Sequence, residues 1–155
     1  MPKLRAFDVP TVVGSKYPAP FDVPCRERIS RRLGDATGMK AFGVTMTRLP
    51  PGAWSAQRHW HSHEDEFVYM LEGTATLVTD EGEELLVPGD CVGFKAGDKN
   101  GHCIQNHGAV DVLFLVVGSR SDEDHGEYPD IDMKFTAGRY TGKSRFTHKN
   151  GEPYT

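Results

Sequence analysis

His59-Trp60-His61-Ser62-His63-Glu64-Asp65-Glu66 packs three of the chain's seven histidines and three carboxylates into eight residues. Side chains alternate along a strand, so His59 and His61 point to one face while Arg58 and Trp60 point to the other. Gln57 shares the histidine face. Ser62 to Asp65 then reads as a charged turn. A hairpin there returns Glu66 to the histidine pair on the adjacent strand. Two imidazoles and a carboxylate converging from paired strands suit one divalent ion of Zn, Ni, Mn or Fe. His63 has the parity of His59 and His61 and is an alternative ligand, although the turn before Glu66 takes it out of the strand. Glu64 and Asp65 read as solvated turn residues.

Working outward, Glu66 to Leu71 alternates, with Phe67 and Tyr69 opposite Glu66 and Val68 and Met70 on its inward face. Upstream, Ala41 to Leu49 is a strand closed by Pro50-Pro51-Gly52, and Ser55 to His61 is the next. Downstream come Thr74 to Thr79, a hairpin signal at Asp80-Glu81-Gly82, and Glu84 to Val87. The turn Pro88-Gly89-Asp90 leads to Cys91 to Lys95, and Ala96-Gly97-Asp98 leads to His102 to Asn106. Ala109 to Gly118 is the most apolar run. Eight short strands at regular intervals predict an antiparallel sandwich, jelly roll or barrel. His102 opens a strand after Asn100-Gly101 and is the natural fourth ligand. Gln57 and Asn106 are candidates for contact with a substrate or with the ligands. Trp54 and Trp60 read as outer-face or interface aromatics, and His107, His125 and His148 as surface residues.

Length and composition bound the rest. A chain of 155 residues fits one domain, and its 17 glycines and 10 prolines favour turns and short strands over long helices. A net charge of −4 with no basic patch speaks against nucleic acid or an anionic membrane as partner. No apolar run has the roughly 18 residues a membrane span needs. The first ten residues carry no apolar signal region, so a cytoplasmic protein is expected. Cys25, Cys91 and Cys103 contain no CxxC pair and read as free thiols of a reducing compartment. Residues 1–40 form an arm broken by Pro10, Pro18, Pro20 and Pro24, with an edge strand near Val9 to Val13. Cys25 to Leu33 reads as one or two helical turns. Residues 119–155 are polar, acidic first and then basic, and form either a tail wrapped on the barrel or a neighbouring subunit, or a solvated terminus.

The segment Gly52 to Gly73 resembles the first motif of the cupins: a glycine, then His59-Trp60-His61, Glu66 after four residues and Gly73 after six more. Gly89, Gly97, His102 and Asn106 resemble the second motif. Three departures are visible. Six residues separate Gly52 from His59, Lys95 stands at a usual proline, and four residues separate Gly97 from His102. LGDATG at 33–38, LPPGAWS at 49–55, EDEFVYMLEG at 64–73 and FKAG at 94–97 with Gly101-His102 extend the likeness to bacterial single-domain cupins. Members of that group often carry a sugar-phosphate isomerase or regulator label without a settled activity.

The resemblance implies an all-β fold, a double-stranded β-helix or jelly-roll barrel at residues 41–118, with irregular N- and C-terminal extensions at 1–40 and 119–155. It implies one divalent metal held by His59, His61, Glu66 and His102. It also implies a small oxygen-rich substrate such as a sugar or sugar phosphate, isomerised through a metal-stabilised enediolate. A non-catalytic small-molecule-binding cupin and an Fe-dependent dioxygenase are the alternatives, because this fold hosts many chemistries. A regulator acting alone would need a DNA-binding domain for which the chain has no room. Exposed sheet edges lead to the expectation of a homodimer, with the N-terminal segment adding to the partner's sheet.

Overall fold

Along the strand Glu66–Glu72, Val68 and Met70 are each 1% exposed while Phe67 and Tyr69 are 43% and 41% exposed. That alternation marks a sheet with one face on a core and one on solvent. It recurs through the computed structural model, which describes residues 3–154. The strands in chain order are β1 (Thr11–Val13), β2 (Ile29–Arg32), β3 (Phe42–Leu49), β4 (Trp60–His61), β5 (Glu66–Glu72), β6 (Ala75–Thr79) and β7 (Gly82–Leu86). They continue with β8 (Cys91–Phe94), β9 (Cys103–Gln105), β10 (Val112–Ser119), β11 (Gly126–Tyr128), β12 (Met133–Phe135) and β13 (Phe146–Thr147). An α-helical turn, α1 (Leu33–Ala36), sits between β2 and β3.

One sheet has the order β1-β2-β3-β10-β5-β8, with all pairs antiparallel. Opposite it run β7-β6-β9 and β13-β12-β11-β4. Those two sheets are joined by the bridge between His59 and His102, whose amides and carbonyls bond reciprocally at 3.1 and 2.9 Å. Leu49, Val68, Met70, Leu77, Ile104 and Phe114 meet between the layers as a buried apolar core. The loop Asp80-Glu81 closes the β6–β7 hairpin, with Thr79 opposite Gly82. This is an all-β jelly-roll barrel. None of the helices among the described residues is long and apolar enough to cross a membrane.

Both terminal stretches, expected to be irregular, carry short strands. The first adds to the edge of its own sheet: β2 pairs with β3, Ile29 opposite Arg48, and β1 pairs with β2. The free edge of β3 offers ladder hydrogen bonds that an isolated helical turn does not. Cys25 to Leu33 therefore divides into the end of a 3₁₀ turn, Val23–Cys25, and a strand. Arg28 ties this arm down by donating to the carbonyls of Ser55 and Gly14. At the other end β11, β12 and β13 build outward from β4. A second apolar cluster of Tyr128, Met133 and Phe135 packs there against Tyr17, Phe21 and Phe146. Ser55 to His61, read as one strand, forms a strand only at Trp60–His61, with a single bridge at His59 before it. Upstream, Ser55 Oγ accepts the amide of Ile104, so a side chain takes the place of a ladder carbonyl.

Candidate metal centre

The three elements that converge are β4, β5 and the start of β9. His59 and His61 lie on one side of the β4 segment, with ring centroids 5.0 Å apart. Glu66 opens β5 and turns back toward them, as the hairpin requires. One Glu66 oxygen, Oε2, lies 3.4 Å from Nε2 of His61 and 3.4 Å from Nε2 of His102. Ligand atoms of His59, His61 and Glu66 all fall within 4.8 Å of one another. The His102 ring is centred 4.8 Å from that of His59 and 6.5 Å from that of His61. The structure thus brings His59, His61, Glu66 and His102 to one place inside the barrel.

Each imidazole is held differently. The carbonyl of Gln57 accepts from Nδ1 of His59 at 2.7 Å, which leaves Nε2 of His59 without its proton and free. His61 Nδ1 is 2.7 Å from Oδ2 of Asp124, a residue with no exposed surface. His102 stacks on Phe94, the rings 3.5 Å apart and 3° from parallel. It is 4% exposed, and neither of its ring nitrogens has a hydrogen-bond partner among the described residues. Glu66 Oε2 lies 3.4 Å from Nε2 as an ion-pair contact, without forming a hydrogen bond.

These contacts set the charges. Burial, with His102 and His61 alongside, pushes His59 down to about 3, so it is neutral at ordinary pH. Burial also works against a charge on His61. The bonds to Asp124 and Glu66 outweigh it and push His61 up to about 9. Glu66 feels the same opposition. Burial favours its neutral form, but His102 and His61 hold its carboxyl well below the usual range. Asp124 is likewise held low against its burial, by His61 and by the amide of His63.

Residues 119–155 account for two features that sequence reasoning missed, the role of Asp124 and the burial of Glu64. Asp124 accepts from the amides of His63 and Glu64 as well as from His61. Glu64, expected in a solvated turn, is 6% exposed. Its carboxylate accepts from the amide of Ser121, the hydroxyl of Tyr140 and the guanidinium of Arg139. The turn is buried because the chain folds back over it. Within SDED at 121–124, nothing local separates Asp124 from its acidic neighbours.

Gln57 and Asn106 serve the framework. The Gln57 amide donates to the carbonyl of Phe21 at 2.9 Å, while its backbone carbonyl orients His59. Asn106 is fully buried and spends its amide on the carbonyls of Leu49 and Val110 and on the amide of Gly108. His63 and His125 both meet Ser62 Oγ on the surface, His107 bonds Gln105, and His148 bonds Asp132. A cavity of about 270 Å³ opens beside the cluster. His61 and His102 form one part of its wall, Leu77, Val92 and Phe94 another. Trp60, read as an outer-face aromatic, also lines it.

A barrel of this topology, with an HxH pair, a glutamate and a distant histidine gathered inside, defines the cupin class. The comparisons agree. The sequence profile of the Cupin domain matches residues 45–118. A crystal structure from Silicibacter pomeroyi, described as a sugar phosphate isomerase from a cupin superfamily, is 44% identical, with a TM-score of 0.93 over 99% of this chain and 97% of that one. Another, from Acidithiobacillus ferrooxidans and provisionally named a sugar phosphate isomerase, is 30% identical, with a TM-score of 0.74 over 83% and 81%. The polyketide cyclase RemF of Streptomyces resistomycificus shares the fold at 24% identity and a TM-score of 0.64 over 77% and 79%. No match was found among curated protein sequences. The chain belongs to the cupin superfamily.

Proposed function

We propose that this protein is a metal-dependent enzyme that isomerises a small oxygen-rich substrate of the sugar or sugar phosphate kind. The observation that carries it is the pair of unpartnered nitrogens on buried His102, beside three further donor groups at the wall of a small cavity. A buried imidazole with no partner costs free energy unless something else takes its lone pair. The residues fit a divalent ion. His59, His61 and His102 would supply neutral nitrogens, and Glu66 would supply the one charge. Zn, Ni, Mn and Fe all accept such a set.

Bound there, such an ion supplies Lewis acidity toward a substrate carbonyl or hydroxyl. The chain's own residues do the rest. Asp124 keeps the proton of His61 on Nδ1, so that Nε2 faces the site. Gln57 does the same for His59 through its carbonyl. Phe94 fixes the plane of His102 by stacking. Leu77, Val92 and Phe94 keep that part of the cavity apolar, which strengthens every charge interaction inside. The two isomerase labels on the relatives support the reading.

The test is turnover. Protein loaded separately with Zn, Ni, Mn or Fe is incubated with aldoses, ketoses and their phosphates, and products are followed by proton NMR. Conversion with at least one metal and none after chelation is expected. Binding without conversion under every metal overturns the enzyme reading and leaves a small-molecule binder.

A further inference from the structure

The charges of the cavity narrow the substrate further, if the reading just given holds. Across the β6–β7 hairpin Glu84 pairs with Leu77, which is 5% exposed on the inner face. Directly opposite residues share a face, so Glu84 points the same way as Leu77 and Leu86. Glu84 also has no side-chain partner among the described residues. Glu81 lies in the adjoining turn. Thr79 Oγ1 and Asn100 Nδ2 both donate to its Oε2, at 2.9 and 2.7 Å, which fixes the carboxylate and leaves Oε1 free to accept. Those two bonds keep its acid ionised. Asp98 completes this set of carboxylates in the cavity lining.

Against these three the lining offers, among the described residues, one free cation, Lys95. Glu64 also lines the cavity but is neutralised by Arg139. Lys99 sits over the ring of Trp60 and is not part of the lining. The Arg58 guanidinium is occupied by Asp80 and Asp130. A divalent ion beside the Glu66 carboxylate adds one net positive charge, so the occupied cavity stays negative by one. A phosphate group carries acceptors only and nearly two negative charges at neutral pH. Hydroxyl groups donate, and carboxylates are the acceptors they need. Buried His102, which the reading above gives to the ion, forms part of the same wall, so a substrate in this cavity meets the ion and these carboxylates together.

We propose that the cavity takes an uncharged, unphosphorylated polyhydroxy aldehyde or ketone, and that Glu81 and Glu84 set that specificity. One excess negative charge about 6 Å from a phosphate dianion disfavours it about tenfold even in water.

The experiment measures binding and turnover in the same samples. Zn-loaded protein is titrated, at matched ionic strength, with arabinose and arabinose 5-phosphate and with fructose and fructose 6-phosphate. Ligand-observed NMR gives the dissociation constants. The neutral member of at least one pair is expected to bind about tenfold tighter than its phosphate. The double variant Glu81→Gln, Glu84→Gln has both changes at exposed positions and should fold. By the same count its occupied cavity carries one net positive charge, so it is expected to bind the phosphates at least as tightly as the neutral sugars. Equal or tighter binding of the phosphates by wild type overturns the proposal, as does failure of all four compounds to bind. Selective binding of the neutral sugars without conversion under any metal supports the proposal and overturns only the enzyme reading.

Discussion

Asp124→Asn tests the metal centre without removing a ligand. Oδ1 of Asp124 accepts two backbone amides, from His63 and Glu64. An asparagine must keep its carbonyl oxygen there, so its NH₂ group takes the place of Oδ2, 2.7 Å from Nδ1 of His61. Two donors then face each other. His61 relieves the clash by moving its proton to Nε2, the nitrogen that faces Glu66 and the site. Loss of such a supporting partner weakens metal binding by about 10- to 100-fold, or about 1.4 to 2.8 kcal/mol. Differential scanning fluorimetry with added Zn reads this directly. At a free metal concentration about 100 times the wild-type Kd, binding adds about 2.7 kcal/mol of stability. For a domain of this size that raises Tm by roughly 5 to 11 °C. A variant with 100-fold weaker affinity gains only about 0.4 kcal/mol under the same conditions, a rise of about 1 °C. An Asp124→Asn variant that folds, yet binds Zn within twofold of wild type, would refute the reasoning.

Three more outcomes follow from the same geometry. His102→Leu should abolish the thermal response to Zn; a shift in Tm on adding Zn as large as that of wild type would contradict this. Gly126→Ala places a Cβ 1.9 Å from the carbonyl of Trp60 and 2.6 Å from the Phe135 ring, so it should part β11 from β4 and cost about 3 kcal/mol or more by urea denaturation. The metal-free protein should be most stable near pH 6.5. His61, raised to about 9, binds a proton more tightly when folded. Its contribution, about 3 kcal/mol, is complete below pH 6.5 and fades as pH rises toward 9. His59, lowered to about 3, resists protonation when folded and so withdraws stability as pH falls below 6.5. Denaturation midpoints that climb steadily from pH 6.5 to 9 would show the first assignment to be wrong.

The barrel was legible because its strands announce themselves locally. The inward set Glu66, Val68, Met70 and the outward pair Phe67 and Tyr69 follow from a period of two. Asp80-Glu81-Gly82 marks its own hairpin. The convergence of His59, His61 and Glu66 was legible for the same reason, since His59 and His61 share parity and a turn returns Glu66. What failed was whatever depended on distant chain. Glu64 looks solvated because its partners, Arg139 and Tyr140, lie 75 and 76 residues away. Asp124 sits in an acidic run that reads as surface. Strand β2 has no alternating pattern, since its residues Ile29 to Ser30 and Arg31 to Arg32 are tied by edge pairing to β3 rather than by burial. Gln57 has the right face in the sequence but spends its amide on Phe21, a residue from the arm.

Asp124 stands 63 positions downstream of the imidazole it steadies. On the ribosome, the histidine pair and Glu66 emerge long before it. A half-made chain also lacks β10, the strand that joins β3 to β5, so the large sheet closes only shortly before Asp124 emerges. The proposed ion site is therefore complete only once most of the protein has been translated.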